Sequence, residues 1–223
     1  MDPSKLSAAE EALKLVRPGQ TIGLGTGSTA EVFIELLGRK NSHQDMKLRC
    51  IATSIASEKQ AQRLNLPLCG FSELESLDIA FDGADQVDSK LNLIKGLGGA
   101  LVREKIVDYR AKKFVIMVGE SKVVKKLSGV VPVEVIPLAE HAVARDLKEL
   151  GAVKIETRMA GAEKFESDNS NHILHAHFGE IPDPKKLEDD INRIAGVVDN
   201  GIFSQNKPVV IVGNENGKAR TLV

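Results

Sequence analysis

Tryptophan is absent from this chain of 223 residues, and aromatic residues make up only 4% of it. Single-stranded nucleic acids stack on aromatic side chains, so this scarcity argues against such a ligand. The formal net charge is -1, and charges of both signs are mixed along the chain, without a basic stripe. We therefore expect no nucleic-acid partner.

Long apolar runs are also missing, because none approaches the roughly 18 residues of a membrane span. The N-terminus is charged and lacks the apolar core of a signal peptide. Cys50 and Cys69 do not have the spacing of metal ligands, so they are predicted to be reduced, small apolar residues. These features predict a soluble, cytoplasmic protein without a membrane partner.

The N-terminal half alternates short apolar segments with segments of helical periodicity. Strands are predicted at 20–24, 48–52, 77–81, 91–94 and 113–118, and helices at 6–16, 30–37, 57–64 and 100–111. Alternation of this kind predicts a doubly wound, mainly parallel α/β sheet of the Rossmann-like class. Ligands of such sheets bind at the carboxyl ends of the strands.

After Pro132 the order of predicted elements becomes β-α-β-β-α-β, which is typical of a ferredoxin-like fold. These elements are predicted at 133–136, 139–150, 153–156, 173–178, 184–194 and 197–203, with a polar loop at 163–171. A last strand at 208–212 is expected to rejoin the first sheet. The sequence thus predicts a Rossmann-like catalytic domain over 1–131 plus 206–223, with a smaller α+β domain inserted at 132–205.

The first glycine-rich turn follows the first predicted strand and reads Gly23-Leu24-Gly25-Thr26-Gly27-Ser28-Thr29. Glycines allow close approach of an anion, and amides at a helix N-terminus favour a phosphate. Ser28 or Thr29 is predicted to cap the helix, and both add hydroxyl donors. The alternative is a tight strand-to-helix turn with a capping hydroxyl and no ligand.

The second motif is the acidic turn Asp82-Gly83-Ala84-Asp85, followed by Asp88. Its carboxylates can face one pocket, where they would bind sugar hydroxyls or move protons between oxygens. The alternative is a solvated acidic turn held by hydrogen bonds to its own backbone.

The third motif runs from Lys95 through Gly96-Leu97-Gly98-Gly99 into the predicted helix 100–111. A glycine-rich bend can aim successive amides at a developing oxyanion, and Lys95 adds a positive charge. Glu104 shares a helix face with Ala100, Val107 and Ala111, and a carboxylate on such an apolar stripe is costly unless it is used or paired. Partial burial would raise its pKa and improve it as a base. The alternative is an ion pair with a lysine or arginine.

Together, the three motifs suit the enolisation of a sugar phosphate. His175 and His177 alternate on one strand, but no Cys or carboxylate is placed with them, so a zinc site is not predicted. A nucleotide-linked dehydrogenase would need an acid where the second strand ends at Thr53-Ser54. A sugar-phosphate sensor would need an output domain, and an acyl-coenzyme A transferase would form a glutamyl thioester.

The motifs resemble those of the type A ribose-5-phosphate isomerases. The resemblance rests on Gly23–Ala30, Asp82–Asp85, Lys95–Leu101 and Arg103-Glu104-Lys105, and later on Val133–Pro137 and Gly196-Val197-Val198. It covers essentially the whole chain. It implies interconversion of D-ribose 5-phosphate and D-ribulose 5-phosphate in the pentose phosphate pathway, without a cofactor or metal. It also implies a homodimer or homotetramer, with the smaller domain as the oligomer contact.

The resemblance also implies residue roles. Glu104 matches the base that moves a proton between C2 and C1 through a cis-enediolate. Asp82 and Asp85 match the pair that handles the sugar hydroxyls, and Lys95 matches the positive charge beside the enediolate. The implied substrate-binding residues are Lys5, Thr26, Gly27, Ser28, Thr29, Gly83, Ala84, Gly96, Leu97, Gly98 and Lys122.

Three positions depart from the pattern of that family. Leu97 and Ser170 stand where glycine is common, and His175 stands where aspartate is common. A leucine at a position that needs a positive φ would be strained. The other two departures are expected to affect the loop or the assembly of the smaller domain and not the catalysis.

Overall fold

A computed structural model of the protein describes residues 2–222. The helices in this range are α1 (Pro3–Leu13), α2 (Ser28–Gln44), α3 (Ile55–Arg63), α4 (Leu101–Asp108), α5 (Glu140–Glu149) and α6 (Pro184–Asn192). None of these helices is both long and apolar enough to cross a membrane.

The strands are β1 (Thr21–Leu24), β2 (Arg49–Ala52), β3 (Leu77–Asp82), β4 (Gln86–Val87), β5 (Leu93–Ile94), β6 (Ala111–Gly119), β7 (Ser128–Val135), β8 (Lys154–Thr157), β9 (Met159–Ala160), β10 (Glu163–Lys164), β11 (His172–Glu180), β12 (Val197–Asn200), β13 (Ile202–Phe203), β14 (Val209–Gly213) and β15 (Ala219–Leu222).

The chain divides into two compact units, which we call unit 1 and unit 2. Unit 1 contains Met1–Ala84, Arg103–Val123 and Asn206–Val223, and unit 2 contains Asp85–Val102 and Val124–Gln205. This division differs from the predicted insertion at 132–205, because 85–102 also belongs to unit 2. The physical reason is strand pairing, since β5 pairs with both β4 and β13.

Unit 1 is built on a six-stranded sheet in the order β15-β14-β6-β3-β1-β2. All of its pairs are parallel except β14 with β15, so the predicted doubly wound α/β fold is confirmed. Alanines of α1 and the apolar side of α2 fill its core, where the rings of Phe33 and Phe81 stack 4.3 Å apart. The return of the last predicted strand is also confirmed, because β14 pairs with β6.

Unit 2 contains an antiparallel four-stranded sheet in the order β12-β7-β11-β8. With α5 after β7 and α6 after β11, the chain follows the predicted β-α-β-β-α-β order of a ferredoxin-like fold. The core contains residues from β7, β11 and both helices, together with Ile94 of β5 and Ile202 of β13.

Several local predictions need correction. The predicted strand 197–203 is interrupted at Gly201, where an added Cβ would lie 2.3 Å from the carbonyl oxygen of Lys95. Part of the predicted loop 163–171 forms the hairpin β9–β10, because Gly161 makes the turn with a φ of 68°. The predicted helix 100–111 ends at Asp108, and Ala111 begins β6.

Candidate active site

The acidic turn and the first glycine turn of unit 1 are joined by Asp82. Its side chain is fully buried at the carboxyl end of β3, and Oδ1 accepts hydrogen bonds from the N–H of Thr26 (3.0 Å) and of Gly83 (2.7 Å). A Cβ on Gly25 would lie 2.2 Å from this oxygen, so glycine is required there. Asp82 therefore fixes the turn that leads into α2.

The hydroxyl of Thr26 points into the protein. It lies 2.7 Å from Thr53 Oγ1, 2.8 Å from Ser54 Oγ and 3.2 Å from Ser57 Oγ. Because its N–H also donates to Asp82, both polar groups of Thr26 have partners in unit 1. Thr26 therefore shapes the turn, and these contacts argue against the predicted use of its hydroxyl as a donor to substrate.

The N-terminus of α2 keeps the features expected of an anion site. Gly27 precedes the helix with a φ of 100°, and neither Ser28 nor Thr29 caps it, so that prediction was wrong. Both residues instead lie in the first helical turn, with Ser28 exposed and Thr29 partly exposed. Amides and hydroxyls at this helix end can bind a phosphate group.

Glu104 lies in the first turn of α4 and is 3% exposed. Val107, three residues further along the helix, packs with Ile51, Leu77 and Ala80 of the sheet. A Cβ on Gly23 would lie 2.7 Å from Val107 Cγ1, which shows how closely α4 approaches β1. The side chain of Glu104 is therefore buried, but the predicted apolar helix face is not formed as expected, because Ala100 precedes α4 and Ala111 belongs to β6.

The two predicted lysines of unit 1 lie at the same edge of the sheet. Lys5 is in the first turn of α1, and the preceding Ser4 contacts Gly119 and Gly213 at the carboxyl ends of β6 and β14. Lys122 is exposed in the 3-10 turn that follows β6. Since β1 and β3 also end at this edge, Lys122, Asp82 and the glycine turn lie at the carboxyl ends of parallel strands, and Lys5 follows Ser4 at the same edge.

The remaining predicted residues belong to unit 2, although Asp85 directly follows Ala84 in the chain. Gly83 and Ala84, at the end of unit 1, are both partly exposed. Lys95 is 2% exposed, its N–H donates to the carbonyl of Gly201 (2.8 Å), and its Nζ lies 5.4 Å from the centroid of the Phe203 ring. Asp88 serves its own turn, because Oδ1 accepts the N–H groups of Lys90 and Asn92.

The glycine bend of unit 2 is a turn closed by a hydrogen bond from Gly99 N–H to Gly96 O (2.9 Å). Gly96 and Gly99 have positive φ values of 94° and 95°, whereas Leu97 does not, so Leu97 is not strained. The Leu97 N–H donates to Asp85 Oδ2 (3.1 Å). This bond argues against the predicted use of the Leu97 amide as a donor to substrate, and leaves Gly96 and Gly98 as candidates.

Sequence reasoning missed Arg158, which lies between β8 and β9. Its Nη1 donates to the carbonyl of Leu97 (2.8 Å), and its guanidinium group lies 3.9 Å from the centroid of the Phe165 ring. No sequence signal near Arg158 indicates this contact, because 61 positions separate it from Leu97.

The two neighbouring histidines do lie on one strand, β11, as predicted. Nε2 of His177 is 2.8 Å from Glu156 Oε2. Burial lowers the pKa of His175, and the positive charge of Arg158 adds to this effect. Among residues 2–222, no three His, Cys, Asp or Glu side chains are grouped as metal ligands would be.

Comparison with known proteins identifies the class to which this arrangement belongs. Residues 49–217 match the family model for ribose 5-phosphate isomerase A (phosphoriboisomerase A). Ribose-5-phosphate isomerase A of Thermococcus kodakarensis is 41% identical over 99% of this chain and 98% of its own length. The protein of that name from Archaeoglobus fulgidus is 42% identical over the full length of both chains.

Solved structures agree. The structure of ribose 5-phosphate isomerase A from Methanocaldococcus jannaschii superposes with a TM-score of 0.93 at 44% identity, covering 98% of this chain and 97% of that one. A D-ribose-5-phosphate isomerase in complex with phospho-erythronic acid gives the same TM-score at 40% identity, covering 98% and 96%. The protein is therefore a sugar-phosphate isomerase by class. It belongs to the ribose 5-phosphate isomerase A family, as its motifs predict.

Proposed function

We propose that this chain interconverts D-ribose 5-phosphate and D-ribulose 5-phosphate by proton transfer through a cis-enediolate. The family assignment supports the reaction, and the burial of the Glu104 carboxylate supports Glu104 as the catalytic base. The Glu104 side chain is 3% exposed at the start of α4, and desolvation makes a carboxylate a stronger base. Glu104 takes the proton from C2 of the open-chain aldose and returns it to C1.

The other residues of unit 1 bind and orient the substrate in this proposal. The phosphate group is held by the α2 N-terminus through Gly27, Ser28 and Thr29, with Lys5 and Lys122 supplying positive charge. Asp82, with Gly83 and Ala84 beside it, handles the sugar hydroxyls at the reacting end. The carboxyl-edge position of these groups supports the assignment.

The residues of unit 2 stabilise the charge that develops on the substrate oxygen. Lys95 supplies a positive charge, the amides of Gly96 and Gly98 supply hydrogen bonds, and Asp85 exchanges protons with the hydroxyl groups. Preorganised donors of this kind usually contribute the largest single share of catalysis, and one donor is worth about 100-fold or more. No external redox partner is needed, because the hydrogen leaves one carbon and returns to its neighbour.

The assignment of Glu104 is tested by Glu104→Gln, which removes the base and keeps the shape. We expect kcat to fall by at least about 100-fold while KM changes little, since general-base catalysis contributes about that factor. Turnover is followed by the absorbance of ribulose 5-phosphate in chelator-treated buffer without nucleotide. Glu10→Gln, an exposed exchange of the same kind on α1, is the matched control. Near-normal turnover of Glu104→Gln would reject Glu104 as the base.

We also propose that the protein acts in the cytoplasm as a homodimer or homotetramer that assembles through unit 2. Unit 2 has several exposed apolar side chains near the ends of β7 and β12: Leu138 is 97% exposed, Ile136 50% and Val198 39%. Exposed large apolar residues that lie near each other are typical of protein contacts. Light scattering of the purified protein measures the oligomer, and a monomer would reject this proposal.

A further inference from the structure

Arg158 contacts the glycine bend of unit 2 and holds it in place. The bend consists of Gly96, Leu97, Gly98 and Gly99, and we call it the oxyanion bend after its role in the proposed function. Arg158 Nη1 donates to Leu97 O at 2.8 Å. A second bond runs from Leu97 N–H to Asp85, and the turn itself is closed by the bond between Gly96 and Gly99. The contacts with Arg158 and Asp85 fix the two peptide planes on either side of Leu97, at the tip of the bend.

The direction of the Gly98 N–H follows from the Arg158 contact. Leu97 O and Gly98 N–H belong to the same planar trans peptide, so they point in opposite directions. A guanidinium group that binds the carbonyl therefore turns the N–H away from Arg158. Gly98 is exposed, and among residues 2–222 its N–H has no protein acceptor.

Arg158 is itself held in place. Its guanidinium group lies over the Phe165 ring at 3.9 Å, and Phe165 N–H donates to Arg158 O (2.9 Å) across the β9–β10 hairpin. A Cβ on Gly99 would lie 2.7 Å from the Phe165 ring and 2.8 Å from Arg158 Nη1, so the backbone passes directly over this pair. Burial lowers the pKa of Arg158, as expected for a partly desolvated guanidinium group.

We propose that Arg158 is a positioning residue for the isomerisation, which acts by holding the Leu97–Gly98 peptide so that the Gly98 N–H points at the enediolate oxygen. The inference rests on the proposed function and assigns no substrate contact to Arg158. Loss of the guanidinium group would free the peptide to rotate, and the Gly98 donor would be misaligned. The affinity of the protein for the substrate, whose carbonyl is neutral, would then change far less than its affinity for the charged intermediate.

The test compares Arg158→Lys and Arg158→Ala with the parent protein, whose turnover of ribose 5-phosphate is measured first. We expect kcat to fall between about 10-fold and 100-fold in Arg158→Ala, with KM within about 3-fold, because small misplacements of catalytic donors have effects of that size. Arg158→Lys should retain more activity, since an ammonium group can still donate to Leu97 O. Added guanidinium ion at millimolar concentration should restore part of the activity of Arg158→Ala.

Two ligands distinguish positioning from a merely structural role. Phospho-erythronic acid carries a carboxylate where the enediolate has its charge, whereas ribitol 5-phosphate has neutral hydroxyls there. Arg158→Ala should lower the affinity for phospho-erythronic acid by about 10-fold or more and leave the affinity for ribitol 5-phosphate within about 2-fold of the parent. Arg145→Ala, on α5, is the matched control and should change neither.

The outcomes separate the two proposals. An inactive parent protein rejects the proposed function, and the role of Arg158 in that reaction falls with it. An active parent with unchanged kcat in Arg158→Ala rejects the inference alone. An equal loss of affinity for both ligands also rejects the inference. So does a loss of activity that guanidinium ion does not restore in a folded variant. If Arg158→Ala fails to fold, the same ligand comparison is made with Arg158→Lys, and an equal loss of affinity for both ligands relative to the parent would overturn the inference.

Discussion

The carboxylate of Asp82 has two tasks at the scale of a single residue. One oxygen accepts hydrogen bonds from the N–H groups of Thr26 and Gly83 inside unit 1, and the same side chain belongs to the proposed active site. A buried N–H group that loses its acceptor costs about 1–3 kcal/mol. The residue therefore shapes the first glycine turn in addition to its proposed role in the chemistry.

These two tasks can be separated with two variants. Asp82→Asn retains an acceptor oxygen and removes the charge, so we expect kcat to fall by about 10-fold or more with a melting temperature within a few degrees of the parent. Asp82→Ala also leaves two amides without their acceptor, and should lower the free energy of unfolding by about 2–3 kcal/mol. Thermal melting and kcat are measured for both. Equal melting temperatures for the two variants would contradict the structural task.

Ser170 is a departure from the family pattern that the structure explains. Its φ is 59°, in the left-handed region that costs a residue with a Cβ about 1–2 kcal/mol. Ser170→Gly removes this strain but adds freedom to the unfolded chain, so we expect a net gain of up to about 1 kcal/mol in stability. Melting temperatures with and without the change test this, and kcat should not change. A lower melting temperature would show that the serine side chain stabilises the loop.

At the scale of elements, Glu140 ties the start of α5 to three strands of unit 2. Its carboxylate accepts hydrogen bonds from Thr157 of β8 and Lys164 of β10, and lies 2.6 Å from His172 Nδ1 of β11. Burial by itself would raise the pKa of Glu140, but the bonds from Lys164, Thr157 and His172 outweigh it and lower the pKa to about 2. The ionised carboxylate is thus part of the folded structure.

The lowered pKa predicts how stability depends on pH. The contribution of Glu140 is fully present above the unfolded pKa of 4.5 and is lost as the pH falls towards about 2. Glu140→Gln should destabilise the protein at pH 7 by roughly 1–3 kcal/mol, and should flatten the fall in stability between pH 4.5 and 2. Urea unfolding at several pH values measures both effects. An unchanged slope in Glu140→Gln would show that other carboxyl groups cause the acid sensitivity.

The elements that sequence patterns predict best are those with strong periodicity and clear glycine punctuation. The strands β1, β2, β3 and β6 are found within two residues of the predictions, because buried parallel strands are continuous apolar runs. The short strand β4 and the polar edge strand β15 have no such signal, and both were missed. Helix α2 continues to Gln44, beyond the predicted end at position 37. The prediction stopped early because the last turns are polar and lack apolar periodicity.

For the candidate site, the motifs predict which residues lie at strand ends but not what their backbone groups contact. The burial of Glu104 could be inferred from the apolar residues at helical spacing around it, although α4 itself contains only Val107 of these. The hydroxyl cluster around Thr26 and the contact of Arg158 with Leu97 join segments that are distant in sequence. Such contacts depend on the packing of several elements, and no local pattern carries that information.

At the scale of the whole molecule, the chain crosses from one unit to the other at 84/85, 102/103, 123/124 and 205/206. The segment 85–102 gives unit 2 its Ile94, which is 1% exposed and packs in the core with Leu127 and Val131. It also supplies β5, the partner of β13. Unit 2 is thus assembled from two separate stretches of sequence.

This assembly predicts the behaviour of fragments. A fragment of residues 124–205 lacks Ile94 and the partner of β13, and the loss of one large core side chain alone costs about 2–5 kcal/mol. We expect it to melt without cooperativity and to bind the dye ANS. A fragment 85–205 in which a Gly/Ser linker of equal length replaces 103–123 is the control and should melt cooperatively. Cooperative melting of the shorter fragment would show that 85–102 is dispensable for unit 2.

Gly201 illustrates how inherited variation would act on this protein. A Cβ there would lie 2.3 Å from the backbone carbonyl of Lys95 and within 3 Å of Pro132, so even alanine has no room. A substitution at position 201 would displace the backbone that carries Lys95, although the two positions are far apart in the chain. A damaging allele at this codon would therefore be expressed as an enzyme defect while every residue assigned to substrate stays intact.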